Sequence, residues 1–199
     1  MPWLKFGFLI LLFFTSKVFA NENNINQEKH QISGKAFVLD GDSLVIKKIK
    51  IRLNGIDAPE FSQQCLNIQS QQYQCGLASK NFLINLVKNQ EVVCHYKKLD
   101  IYNRILGDCY INKLNINHHL LANGMVVIYD FNDATKQEIE LEKTAKEQQK
   151  GIWQGPFQLP KTYRKHNKKN DKRNNNSTNN SANNSTNTST GQRNSVSAS

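Results

Sequence analysis

Hydrophobic and polar positions divide the 199-residue chain into three regimes. Residues 1–20 are almost wholly apolar, and residues from about 161 onward are almost wholly polar. Only the stretch between them alternates in the way a packed core requires. Within it, residues 35–39, 43–48 and 50–56 read as strands, with Asp40-Gly41 as a hairpin turn between the first two and the Pro59 region ending the third. Residues 77–87 repeat Leu, Phe, Leu and Val at helical spacing, and strand-like runs follow at 91–97 and 104–111. Residues 115–123 form a short helical pattern closed by Gly124, and Asp133 caps a charged helix running to about Lys150, where Gly151 ends it. Five short strands with helices after the third and fifth predict an α+β domain, a five-stranded Greek-key β-barrel of the OB type with about three packed helices. Phe82, Leu83, Leu86, Leu120 and Ile139 are its expected core, and Trp153 is expected to plug the last helix.

The apolar start reads as a signal peptide over residues 1–20. Lys5 supplies its positive region, residues 7–15 its apolar run, and Val18-Phe19-Ala20 a cleavage site before Asn21. An uncleaved anchor is the alternative, but the run is shorter than the ~20 residues a span needs. A linker over 21–32 then leads into the domain at 33–160. The segment 161–199 is expected to be a tail, basic at first and then an Asn/Ser/Thr-rich disordered tract. The formal net charge is +10. Most of it lies in that tail, where Lys161, Arg164, Lys165, Lys168, Lys169, Lys172, Arg173 and Arg193 face Asp171 alone, so the domain itself is close to neutral. A tail of this kind attracts polyanions without reading sequence.

An exported chain, periplasmic or secreted, meets an oxidising compartment, which makes disulfides the default for Cys65, Cys75, Cys94 and Cys109. Of the three possible pairings, Cys65–Cys75 closes a short polar loop and Cys94–Cys109 joins two strands that a hairpin sets face to face. A zinc site is the competing reading, but no Cys-x-x-Cys pair is present. His95 is placed on the strand face opposite Cys94, and His118 and His119 read as surface or packing residues.

Three segments carry candidate chemistry: Asp40-Gly41-Asp42-Ser43, Arg52 through Asp57-Ala58-Pro59-Glu60, and Asp100-Ile101-Tyr102-Asn103-Arg104. Asp42, Asp57 and Glu60 stand at strand ends. If those ends meet, three carboxylates converge and call for a hard cation, Ca²⁺ or Mg²⁺. Arg52 and Arg104 on strands need partners or a cleft, and two guanidinium forks beside a cation suit a phosphodiester. Each motif has a plainer reading: Asp-Gly-Asp as a turn, Arg52 with Asp57 as a structural ion pair, Asp100 with Arg104 as a hairpin salt bridge.

In this order and spacing, with Leu120 to Gly124 and Gly151-Ile152-Trp153, the motifs make residues 33–160 resemble the staphylococcal-nuclease (thermonuclease) family, in an exported bacterial branch with two cysteine pairs. The resemblance implies Ca²⁺ held by Asp42, Asp57 and the Ala58 carbonyl, with Asp40 reaching it through water. It implies Glu60 as the residue that activates water, and Arg52 and Arg104 as phosphate-binding catalytic groups. Tyr102 and Tyr129 are candidates for the nucleotide pocket, and Lys165, Lys168 and Lys169 for added affinity. The implied activity is sugar-nonspecific hydrolysis of DNA and RNA leaving 3′-phosphates. The implied protein is a monomer with no obligate protein partner and no membrane anchor after signal cleavage. Ala58 stands where the best-known member has Thr, which leaves a carbonyl ligand unchanged. The rival reading is a non-catalytic OB-type module that binds nucleic acid or another polyanion. Such a module has no need of Arg52, Glu60, Arg104, Asp42 and Asp57 together, and all five are present.

Overall fold

The computed structural model describes residues 30–169. The chain runs β1 (His30–Gly34), β2 (Ala36–Asp40), β3 (Ser43–Ile46), β4 (Ile49–Leu53), β5 (Ile56–Asp57), β6 (Cys65–Leu66), β7 (Gln72–Tyr73) and α1 (Cys75–Val87). It continues through β8 (Val92–Leu99), β9 (Ile105–Ile111), β10 (Leu114–Asn115), α2 (Ile116–Ala122), β11 (Val127–Ile128), α3 (Lys136–Glu147) and a 3₁₀ turn at Gly151–Gln154. A last helix, α4, covers residues 160–169.

The main sheet has the order β1-β8-β9-β4-β3-β2, with β10 added to β9. Its pairs are antiparallel except β4 with β9, which is parallel. Strands β1 and β2 stand at opposite ends of this path yet are separated in the chain by Lys35 alone. The sheet therefore curls back on itself through the backbone, without hydrogen-bonded closure, in keeping with an α+β fold of the OB kind. Gly34 makes the bend at φ +153°, where a Cβ would also stand 3.1 Å from Ile46 Cγ2.

Alternation drives the packing. In β9, Ile105, Gly107, Cys109 and Ile111 point inward in strict turn. Leu44, Ile46, Ile51 and Leu53 from β3 and β4 join them, with Leu83 from α1 and Leu120 from α2, all fully buried. Cys94 lies directly across from Cys109, and the two are bonded with Cα atoms 4.0 Å apart. Cys65 and Cys75 form the second disulfide. That bond sits in a satellite cluster with Val127 and Ile152, against which Tyr73, Trp153 and Phe157 pack. Trp153 is thus a plug for this smaller cluster, half-buried and edge-on to Phe157 at 4.9 Å.

The third predicted strand is two, because a turn at Asn54-Gly55 (Gly55 φ +74°) separates β4 from β5. The expected linker gives up residues 30–32 to β1, which pairs with β8. Thr135, not Asp133, caps α3. Its hydroxyl accepts from the Glu138 N–H while Glu138 returns a bond to the Thr135 N–H, so the capping box overrides the earlier Asp. Ile139 is 39% exposed rather than core, because α3 buries Glu142 and Ala145 and half-buries Leu141 on the face it packs against α2 and β11. Phe82 and Leu86 are half-buried against the core. The folded unit continues past 160 into α4, where the start of a tail was expected. The predicted signal peptide and the Asn/Ser/Thr tract lie outside the described residues.

Candidate active site

The Asp40-Gly41-Asp42 turn joins β2 to β3 and is pressed against the domain. A Cβ on Gly41 would sit 2.2 Å from Ser79 Oγ and 2.8 Å from Ala58 Cβ. This close approach sets Asp42 beside the end of β5. Asp42 is buried, and both oxygens of its carboxylate are engaged. Oδ1 accepts from the Ser43 hydroxyl at 2.9 Å, and Oδ2 accepts from the Ala58 N–H at 3.0 Å and Arg52 Nη1 at 2.7 Å. Arg52 lies opposite Ser43 on β4, and its Nη2 reaches Asp57 Oδ1 at 2.8 Å and the Ile56 carbonyl at 3.2 Å. Burial alone would lower the Arg52 pKa, but the charges of Asp42 and Asp57 outweigh it and raise it above its ordinary value.

Glu60 follows the strand end in a turn built by Gln63. The Gln63 N–H donates to the Glu60 carbonyl, and Gln63 Oε1 accepts the Glu60 N–H at 3.2 Å. Gln63 is fully buried, and its amide also donates to the Gln158 carbonyl, which ties this turn to the segment before α4. Gly76 at the start of α1 leaves room for the Glu60 carbonyl, since a Cβ there would collide with it at 1.8 Å.

Across the cleft, Asp100 organises the loop between β8 and β9. Its Oδ1 accepts from the N–H groups of Tyr102 and Arg104, both at 2.9 Å, and its Oδ2 accepts from Arg104 Nε at 2.7 Å. Burial pushes the Asp100 pKa up, but these donors and the Arg104 charge prevail and hold it below its ordinary value. Tyr102 is 72% exposed, with Arg104 held 5.4 Å from its ring centroid.

These elements enclose a cleft of about 730 Å³. Asp40, Asp42, Arg52, Ala58, Glu60, Tyr102, Arg104, Tyr129 and Lys168 line it, which unites nine of the sequence-derived candidates. Asp57 lies behind that lining, 1% exposed. Tyr129 stands beside Arg52, whose Cζ is 5.9 Å from its ring centroid, and Lys161 is at 5.4 Å. Of α4, Arg164 and Lys168, four residues apart on one helix face, reach the lining, and Lys165 and Lys169, each one residue further round the helix, do not. Both ion pairs of the plainer reading, Arg52–Asp57 and Arg104–Asp100, exist, and they belong to the cleft.

The expected convergence of three carboxylates is loosened. Among the described residues, no group of three His, Cys, Asp or Glu side chains gathers closely enough to hold a metal ion by itself. Arginines interpose: Arg52 bridges Asp42 and Asp57, and Arg164 bridges Asp57 and Glu60. The donors are nonetheless all hard oxygens, two of them on buried carboxylates. Such a set suits a cation that takes one or two carboxylates and completes its shell with a carbonyl, water and substrate phosphate.

Arg164 is the participant that sequence reasoning missed. Its basic neighbours have no apolar periodicity. The available signal was Pro160, a residue favoured at the first position of a helix. Gln63 gave no local signal at all.

Residues 50–155 match the model of the family described as "Staphylococcal nuclease homologue". Among curated relatives, the succinoglycan biosynthesis protein ExoI of Rhizobium meliloti (strain 1021) is 33% identical over 124 residues, covering 61% of this chain and 64% of its own. A "Probable staphylococcal-like nuclease" of Oryza sativa subsp. japonica is 30% identical, covering 56% of this chain and 27% of its own. An "Uncharacterized endonuclease" of Escherichia coli is 30% identical, covering 62% and 77% respectively. The match thus spans less than two thirds of the first two relatives.

Proposed function

The chain belongs to the staphylococcal nuclease homologue family, and on that premise we propose that it is an exported, Ca²⁺-dependent nuclease that hydrolyses phosphodiester bonds of DNA and RNA and leaves 3′-phosphates. The observation that carries this reading is the meeting of Arg52, Glu60, Arg104 and Asp42 around one cleft, with Asp57 held by Arg52 just behind its lining. When bound, Ca²⁺ supplies neutralisation of the charge that develops on the phosphate. Asp42, Asp57 and the Ala58 carbonyl are the residues that would hold it, with Asp40 acting through water.

The chain's own groups then divide the work. Glu60 accepts a proton from water as its oxygen attacks phosphorus. The 5′ P–O bond breaks, and the leaving 5′-oxygen takes a proton from solvent, giving a 3′-phosphate and a 5′-hydroxyl. Arg52 and Arg104 face the phosphate from the two sides of the cleft, and their forks match its oxygens bidentately. Tyr102, largely exposed, and Tyr129, half-exposed, offer ring faces for a sugar or base. Lys168 adds a phosphate contact at the rim, and the basic segment beyond it adds salt-sensitive affinity. Two disulfides suit an oxidising compartment outside the cytoplasm. No described helix is long and apolar enough to cross a membrane.

End-group analysis of products made with Ca²⁺ tests the reading. The expected products carry 3′-phosphates and 5′-hydroxyls from both DNA and RNA. Products with 5′-phosphates contradict it, and binding without cleavage favours the non-catalytic module.

A further inference from the structure

The third arginine of the cleft lies outside the region matched to the family, residues 50–155. Arg164 Nη1 donates to Glu60 Oε1 at 2.7 Å and to Asp57 Oδ1 at 3.0 Å, and its Nη2 donates to Asp57 Oδ2 at 2.9 Å. Asp57 Oδ1 also accepts from Arg52 Nη2 at 2.8 Å. Both oxygens of Asp57 are therefore engaged by guanidinium groups, and two like charges share one of them. A cation ligated by Asp57 has to share the carboxylate with these two guanidinium charges, so its binding is opposed unless one of them withdraws.

The surroundings decide which donor that is. Arg52 sits on a central strand, is held also by Asp42 and the Ile56 carbonyl, and its side chain is only 16% exposed. Arg164 projects from the last described helix, its side chain is 32% exposed, and among the described residues its ion-pair partners are Asp57 and Glu60. Of the two, Arg164 has fewer ties to break and more solvent to withdraw into.

We propose that Arg164 is an internal competitor of the divalent cation, holding Asp57 and Glu60 until cation and substrate arrive together. This rests on the nuclease reading and deepens it. A phosphodiester in the cleft gives the displaced guanidinium a new anionic partner, so substrate and cation favour each other's binding through Arg164. Two effects have the same sign when Arg164 is removed: the carboxylates lose a competing donor and the cation loses a repelling charge. A purely structural role for Arg164 has the opposite sign, because losing a brace loosens the ligands and weakens cation binding.

The test is calorimetric titration of Ca²⁺ into the purified protein and into Arg164→Ala, with and without a cleavage-resistant phosphorothioate dinucleotide. Circular dichroism checks that the variants are folded. Arg164→Ala is expected to bind Ca²⁺ about fivefold to tenfold tighter, the equilibrium equivalent of one partly exposed ion pair. The dinucleotide is expected to tighten Ca²⁺ binding less in the variant than in the wild type. Arg164→Lys, which keeps the charge without the fork, falls between them, and it carries the test if the Ala variant does not fold. Unchanged or weaker Ca²⁺ binding in a folded variant overturns the proposal while leaving the nuclease reading intact. No Ca²⁺ binding by either protein overturns the cation site itself, and this proposal with it.

Discussion

Arg52 and Asp57 stand five residues apart on consecutive strands, and the arginine Nη2 lies 2.8 Å from the carboxylate Oδ1. The turn at Asn54-Gly55 makes this possible by redirecting the chain from β4 into β5, with Gly55 in the left-handed region that other residues enter only at a cost. The same guanidinium holds Asp42 through Nη1 at 2.7 Å. One side chain thereby fixes the spacing of two buried acids and is itself aimed by them into the cleft.

The geometry of that fork makes Arg52→Lys a severe change. Lysine keeps the charge but cannot span two carboxylates or grip a phosphate with two parallel bonds. Arg104→Lys removes the corresponding fork on the opposite wall. Each is expected to lower kcat/KM for a defined oligonucleotide by roughly 10²–10³-fold, the usual effect of removing one transition-state donor. Near-normal steady-state kinetics in either variant would place the phosphate elsewhere.

Asp100 gives a pH signature. Its pKa lies below the ordinary carboxylate value of 3.8, because the N–H donors and charge of Arg104 outweigh burial. A depressed folded-state pKa contributes stability that is fully present above the unfolded value and is lost as pH falls through the folded one. Asp100→Asn is therefore expected to melt below the wild type at neutral pH, with the difference shrinking as pH drops below 3.8. Thermal melts across the acid range read this directly. A difference that stays constant with pH contradicts it.

The Cys65–Cys75 bond closes a loop with a sequence separation of 10. It braces the turn that carries Glu60, since Gly76, next to Cys75, packs on the Glu60 carbonyl. Replacing both cysteines by Ala is expected to lower stability by about 2–3 kcal/mol on the chain-entropy scale, measured by urea unfolding. Activity should fall in the folded variant as well. A loss of stability with full activity would show that the loop and Glu60 are independent.

Lys168 lines the cleft and Lys165 does not. Lys168→Gln is expected to weaken nucleic-acid binding and reduce the slope of log affinity against log salt by about one. Lys165→Gln is expected to change that slope less. Equal effects, measured by fluorescence anisotropy over a salt series, would show that the charge of α4 acts as a whole rather than through its cleft face.

Much of this arrangement was legible in the chain itself. Period-two alternation and turn residues located β2, β3, β4, β8 and β9, and helical spacing located α1. The acids and arginines of the cleft stood in short motifs whose order resembled one family. What escaped depended on distant partners. Strand β1 reads as polar linker because only its pairing with β8 orders it. Gln63 and Asn117 are ordinary polar residues until their amides are seen to hold the turn before α1 and the end of β4. Arg164 lies 107 residues from Asp57, in a basic stretch whose composition suggested solvent. Local pattern carries no information about such a contact.

The central claim is that Glu60, beside a cation held by Asp42 and Asp57, makes this cleft hydrolytic. The most direct measurement incubates the purified protein and Glu60→Gln with plasmid DNA and with a structured RNA, in Ca²⁺ and in chelator. The wild type is expected to degrade both in Ca²⁺ alone, with kcat reduced roughly 10²–10⁴-fold in the variant and KM little changed, as for loss of a general base. Degradation that persists in chelator, or in Glu60→Gln at the wild-type rate, would contradict the claim.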